Sequence, residues 1–331
     1  MKKMTKLLSL VLAILMMLSF AACGGEEKPA ETTKTPENVR VYMLNGTTGF
    51  GMAKMMNDHA EDKGYTFTVK TDASDVTAAI IAGEADIAAL PTNAASNLYN
   101  VTNGAVKILA INTLGCLYLL NSTGDKISSL SDLEGKTVYV PAQNPTFILT
   151  HLKNESKVNF TIDSTSYAQP AALRDAVASG AVQIAVLPEP MVTIATTKAK
   201  ANNITLVNEL DLTAEWNKFN DENSLVQGCI VVRKEFLEQY PAAVESFLNE
   251  YKDSIAFLQT NVAQASQMIA AQKIFENATV AEKAIPKCNV TYMDGEEMKS
   301  AMQIYLGVLY GINPKSVGGA LPADDFYYIK K

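Results

Sequence analysis

The chain has 331 residues, 48% hydrophobic and 19% charged, with a net charge of -7. That mild acidity excludes the basic footprint expected of a nucleic-acid binder or of a protein held to an anionic membrane by charge alone. Only 2 histidines and 4 cysteines are present, none in metal-ligand spacing, and there is no Walker loop, nucleophile elbow or dinucleotide fingerprint, so no metal or cofactor is expected.

Lys2, Lys3 and Lys6 precede an unbroken apolar run from Leu7 to Leu18. The run is too short to span a bilayer and gives way to small residues, so residues 1–22 read as a signal peptide. Phe20, Ala21, Ala22 and Cys23 resemble a bacterial lipobox, with Phe where Leu is more usual. The resemblance implies cleavage and lipidation at Cys23, placing the protein on the outer face of the cytoplasmic membrane. From Cys23 to Asn38 the chain is rich in Glu, Lys, Pro, Thr and Gly. It has too little apolar surface to offset the entropy of ordering, and is expected to be a disordered tether reaching roughly 20 Å.

The remaining residues contain an internal repeat at an offset of 97 positions. Val41 and Tyr42 match Val138 and Tyr139, Phe50 matches Phe147, and Gly83 matches Gly180. Ile87, Ala88, Leu90 and Pro91 match Ile184, Ala185, Leu187 and Pro188. Two lobes built on one plan follow from this register. Each copy opens with a strand (Val39 to Leu44; Thr137 to Val140), then a loop, then a helix (Met52 to Lys63; Phe147 to Lys153). Next come a helix ending near Gly83 or Gly180, a strand (Asp86 to Leu90; Gln183 to Leu187) and a proline-marked loop. Alternating strands and helices predict an α/β fold, each lobe a mostly parallel sheet flanked by helices.

A further strand, Leu225 to Val232, and long helical patterns from Pro241 to Gln259, Val262 to Ile274 and Glu296 to Leu309 have no third lobe to cover. They are expected to complete the first. Lobe 1 is then 39–119 with 228–331, and lobe 2 is 120–227, with two hinge crossings near Tyr118 to Thr123 and Asn223 to Gly228.

The order of these motifs is similar to that of the bacterial ABC-importer substrate-binding proteins of the nitrate, alkanesulfonate and thiamine-precursor type. The carrying residues are Gly83 with Ala85 to Ala88, Asp132 to Thr137, Leu187 to Pro190, and Val231 to Arg233 with Phe236, Tyr240 and Pro241. The resemblance implies a two-lobed type 2 periplasmic-binding fold, closure about a hinge on a small-molecule ligand, and an ABC transporter permease as partner. The protein is expected to be a monomer and no enzyme.

Ligands of such folds bind beyond the carboxyl ends of the strands. The loop Asn45, Gly46, Thr47, Thr48, Gly49 and Phe50 is the first expected binding loop, its backbone N–H groups facing the cleft. Asn144, Thr146 and Phe147, with Pro145 between, are its counterpart. Thr92, Asn93 and Glu189 follow the proline-marked strands, where they either touch ligand or serve a helix start. Asn112, Thr113 and Gln227 lie beside the hinge strands. Phe50, Phe147 and Trp216 are either walls for a flat ligand or core.

Of the three arginines, Arg40, Arg174 and Arg233, none falls in these loops, and no lysine does. That favours a neutral or weakly cationic heteroaromatic ligand, such as a thiamine-type pyrimidine with Glu189 facing an amine, over an oxyanion such as sulfonate or nitrate. Two alternatives are a thiamine-pyrimidine synthase-like enzyme and a ligand sensor for a membrane receptor. Cys116, Cys229 and Cys288 are expected as small buried residues, with a Cys116–Cys229 bridge the less favoured option.

Overall fold

A computed structural model describes residues 34–330; the expected signal peptide, Cys23 and the expected tether as far as residue 33 lie outside the described residues. The first sheet starts with β1 (Val39–Leu44), β2 (Tyr65–Lys70), β3 (Ile87–Pro91) and β4 (Val106–Leu114). The chain then builds a second sheet from β5 (Leu117–Asn121), β6 (Thr137–Tyr139), β7 (Thr161–Asp163), β8 (Ile184–Pro188) and β9 (Val207–Asp211). It returns to the first with β10 (Val226–Arg233) and β11 (Val290–Met293). The six-stranded sheet has the order β11-β4-β10-β3-β1-β2, and the five-stranded sheet the order β7-β6-β8-β5-β9.

The repeat is visible in the pairing. β1 lies between β2 and β3, parallel to both, and β6 stands likewise between β7 and β8. Antiparallel strands extend each parallel core: β10 on β3 and β5 on β8, then β4 and β11 on one side and β9 on the other. The sheets are therefore mixed rather than mostly parallel. The added strands are short or continuously apolar, and neither pattern encodes direction.

Helices alternate with these strands. In the first copy they are α1 (Thr47–Phe50), α2 (Ala53–Asp58), α3 (Ala73–Ile81) and α4 (Thr92–Val101). In the second they are α5 (Asn144–Ser156), α6 (Pro170–Ala178), α7 (Met191–Ala201) and α8 (Leu212–Trp216). The equivalence of α3 with α6 has a local cause. Asp72 caps the start of α3 by accepting from Ser74 N, whereas Pro170 sets the first turn of α6. Both end on a glycine of positive φ, Gly83 at 71° and Gly180 at 78°. At Gly83 the N–H groups of Gly83 and Glu84 return to Ile80 O and Ala79 O, a closure that needs the left-handed residue glycine supplies.

The C-terminal part adds α9 (Lys234–Gln239), α10 (Pro241–Thr260), α11 (Val262–Ala271), α12 (Ala278–Ala284) and α13 (Gly295–Ile312). α10 and α11 cover one face of the first sheet, with Phe247, Tyr251 and Ile269 buried beside Met43, Ile87 and Ile230. α13 covers the other face and reaches α5 of the second copy, so one apolar cluster runs through Ile108, Leu119, Trp216 and Tyr305.

The first passage between sheets is Gly115–Cys116, earlier than the Tyr118 to Thr123 region expected, because Leu117–Asn121 is already a strand of the second sheet. Burial is continuous from Cys116 through Asn121, so nothing in the sequence marks the boundary. On the return, Val226, Gln227 and Gly228 belong to β10, which places the second passage before them.

Candidate functional site

The carboxyl ends of β1, β3, β6 and β8 bring the loops of the two copies face to face. Thr47 Oγ1 donates to the Glu189 carbonyl at 3.0 Å, and Asn144 Nδ2 donates to Asn93 Oδ1 at 2.6 Å. Two further bonds border this seam. Cys116 N donates to Gln227 Oε1 at 2.8 Å, and the Tyr118 hydroxyl donates to Lys287 O at 2.8 Å. Asn112, 1% exposed, donates to Thr48 O at 3.1 Å and accepts from Thr113 Oγ1. The structure therefore joins Thr47 to Glu189, Asn93 to Asn144, and Asn112 to Thr48 and Thr113, with Gln227 on the first passage.

The first loop spends much of its backbone internally. Asn45 N donates to Lys70 O, Gly46 N to Ile274 O, and Gly49 N to Gly46 O, so these N–H groups do not face a cleft. Gly46 holds φ at 81°, and a Cβ on Gly49 would stand 2.4 Å from Leu44 O. Glycine is required here by the turn and by packing. In the counterpart loop, Thr146 Oγ1 closes a turn on Pro141 O. Thr92 Oγ1 donates to Val226 O, tying α4 to β10.

The three candidate aromatics are placed differently. Phe50 is fully buried, its ring centroid 6.2 Å from that of Phe275. Trp216 is fully buried too, with Nε1 donating to Ser224 Oγ at 2.8 Å. Phe147 is half-buried against the apolar cluster that crosses the two sheets.

Glu189 is 2% exposed, and its carboxylate accepts from Thr193 N at 3.1 Å and Thr193 Oγ1 at 3.0 Å. Burial raises its pKa while the Thr193 bonds oppose the rise. The carboxylate serves the start of α7, and its backbone carbonyl faces the seam.

Beside the seam lies a groove of about 1130 Å³. Phe67, Val69, Met191, Ile194 and Phe275 give it apolar walls, and Lys70, Arg174 and Lys273 bring cations, against Glu276 alone. These cations lie outside the expected binding loops: Arg174 is on α6, and a helix position does not reveal in sequence where a long side chain reaches. Asn45 lines the same groove.

Cys116, Cys229 and Cys288 are free and buried. Burial pushes the Cys116 thiol up to about 12. Cys288 Sγ lies 3.7 Å from Thr47 Oγ1, under the seam. Among the described residues no group of three or more His, Cys, Asp or Glu could hold a metal ion, and no helix is long and apolar enough to cross a membrane.

With this geometry in place, comparison with known proteins gives a family. Residues 50–310 match the family model described as menaquinone biosynthesis. The chain belongs to that family. Among solved structures, it is similar to an ABC transporter protein from Parabacteroides distasonis, at 23% identity over 89% of this chain and 100% of the other, with a TM-score of 0.75. It is also similar to the periplasmic aliphatic sulphonate binding protein of Escherichia coli (14% identity, 89% and 93% covered, TM-score 0.69). A third is the ligand binding component of an ABC-type import system from Staphylococcus aureus, with zinc bound (14%, 89% and 97%, TM-score 0.67). At these identities the likeness shows the fold, which is that of periplasmic binding proteins. No curated protein matches.

Proposed function

We propose that this chain is an extracytoplasmic solute-binding lipoprotein, anchored through Cys23, that closes on a small molecule and delivers it to an ABC importer. The observation that carries the reading is the seam. Two loop sets related by the repeat meet at the strand ends and bond to each other through Thr47–Glu189 and Asn93–Asn144. Sheets joined by two passages, at Gly115–Cys116 and before Val226, suit rotation of one lobe against the other. On this reading the lobes follow the two sheets, their boundaries moved from 119/120 and 227/228 to the passages at Gly115–Cys116 and before Val226.

Thr47, Asn93, Asn112, Asn144 and Gln227 offer the ligand hydroxyls and amides without formal charge, and Glu189 is engaged by Thr193. That chemistry suits a neutral polar ligand, for which a thiamine-type pyrimidine is the working choice. The groove favours a second reading, an organic anion held by Lys70, Arg174 and Lys273. The family description supports a third, catalysis in a biosynthetic pathway.

Calorimetric titration with thiamine, its pyrimidine and a series of alkanesulfonates separates the first two, and conversion of the pyrimidine or its precursors tests the third. Binding of the pyrimidine without turnover is expected. Binding of sulfonates alone, weakened in Lys70→Ala and Lys273→Ala, would reject the neutral ligand in favour of the anion.

A further inference from the structure

Five buried side-chain atoms have no hydrogen-bond partner among the described residues: Asn144 Oδ1, Thr213 Oγ1, Asn217 Oδ1, Tyr251 OH and Tyr305 OH. Four of them sit on elements that meet at Trp216. Thr213 and Asn217 flank it on the turn of α8, and the Tyr305 ring centroid is 5.9 Å from the indole. Asn144 is two helical turns before His151 on α5, on the face where the His151 ring approaches the indole to 4.8 Å.

These atoms lie where the two sheets' elements touch. Tyr305 comes from α13, which packs on β4 and β10, while Thr213 and Asn217 follow β9 of the other sheet. Thr213 Oγ1 abuts the first passage: a Cβ placed on Gly115 would stand 2.2 Å from it. The amide orientation of Asn144 is set by its neighbours. Asn93 Nδ2 points to Ser316 O, so Asn93 Oδ1 accepts from Asn144 Nδ2 and the Asn144 oxygen is the atom left over.

A buried polar atom with neither partner nor water destabilises the conformation that hides it. Parting the seam returns these atoms to water. A ligand that supplies partners removes the same penalty without parting it, which is the differential affinity that closure requires.

We propose that Asn144, Thr213, Asn217 and Tyr305 form the hydrogen-bonding half of the ligand site, and that they receive a neutral, flat molecule carrying at least two N–H or O–H donors. The two amide oxygens set the donor count, and the rings of Trp216 and Tyr305 set the flatness. The inference rests on the seam being the ligand site, and names its ligand chemistry.

The test is peptide-resolved N-ethylmaleimide labelling of Cys288 in the full-length protein without ligand. The thiol is 0% exposed under the Thr47 contact, so labelling follows the open population when reclosing is fast. Tyr305→Phe and Thr213→Val each remove one stranded hydroxyl and are expected to slow labelling about tenfold. Tyr251→Phe is the control, because Tyr251 is enclosed by the first sheet's own cluster; it is expected to leave labelling unchanged while raising Tm.

Unchanged labelling in both Tyr305→Phe and Thr213→Val, or equal slowing in the control, overturns the proposal. Addition of the thiamine pyrimidine at 1 mM (on the order of a weak ligand's Kd) is expected to protect Cys288 further in the wild type, and less in Tyr305→Phe. Absence of that protection, with the tenfold slowing intact, sinks the pyrimidine reading of function and leaves the closure penalty standing.

Discussion

The Thr47 hydroxyl is the most exacting test of the seam, because it joins the first loop directly to the backbone of Glu189 at 3.0 Å. Thr47→Val keeps the shape and deletes the donor. The Glu189 carbonyl then loses this partner within a residue only 2% exposed. A lost hydrogen bond with its acceptor left buried costs about 1–2 kcal/mol. Opening restores water to the carbonyl, so the cost falls on the closed form alone, and the open population rises by about five- to thirtyfold.

Small-angle X-ray scattering should report a larger mean radius of gyration, and maleimide labelling of Cys288 should accelerate by the same factor. Thr47→Ser, which keeps the hydroxyl, should behave as wild type. Valine shields the sulfur as well as threonine does, so faster labelling reports opening rather than access. If Thr47→Val and Asn93→Ala both leave scattering and labelling unchanged, the two bonds do not govern closure and the reasoning fails.

The other predictions concern what holds the lobes in shape. Burial of His59 opposes its charge, but bonds to Asp62 and Glu250 outweigh burial and raise its pKa. Its contribution to stability is therefore complete below about pH 6.5 and is lost as pH rises through the higher folded value. Urea midpoints between about pH 5 and 9 should fall with this slope in the wild type and lose it in His59→Gln.

Asp86 accepts from Arg40 N, Nε and Nη2 and from Arg233 Nη2. Burial would raise its pKa, yet these bonds hold it below the usual carboxylate range. The stability they give is present above about pH 4 and lost as pH falls through the lower folded value. Asp86→Asn should cost about 3 kcal/mol in urea unfolding, since it leaves the two guanidinium groups without their carboxylate. Gly115→Ala would press a methyl against Thr213 Oγ1 at 2.2 Å and Leu225 Cδ2 at 2.6 Å. It should lower Tm and raise Cys288 labelling by wedging the passage; an unchanged Tm would show that the contact relaxes freely.

Much of the architecture was legible because the repeat carries its own punctuation. Gly83 and Gly180 end helices at one offset, and the strands Ile87–Pro91 and Ile184–Pro188 share it. Strand direction and the first passage were not legible, since β4 and β5 are nearly continuous apolar runs whose residues are buried whichever way the strand runs. At the site, loop position identified Thr47, Asn93 and Asn144 as candidates but could not say that they bond to one another. Thr213 and Tyr305 escaped notice for a different reason. Each is an ordinary helical residue in sequence, and only packing across the two sheets strands its hydroxyl.

The same limit explains the disagreement over ligand charge. Loop composition gave a neutral cleft, whereas the groove carries Lys70, Arg174 and Lys273. Arg174 is a weak source of field there, because its Nε and Nη2 are paired with Asp175, which also holds Lys198. Lys273 is exposed and Lys70 half-buried, and charges near solvent are screened over about 8 Å at physiological salt. The groove can therefore bias the approach of a ligand without fixing its identity. On the proposed reading, selection falls to the buried Asn144 Oδ1 and Tyr305 hydroxyl, which an unmatched ligand leaves unpaired. A groove lysine replaced by alanine should accordingly change the association rate and its salt dependence, whereas loss of the Tyr305 hydroxyl should change which molecules are held.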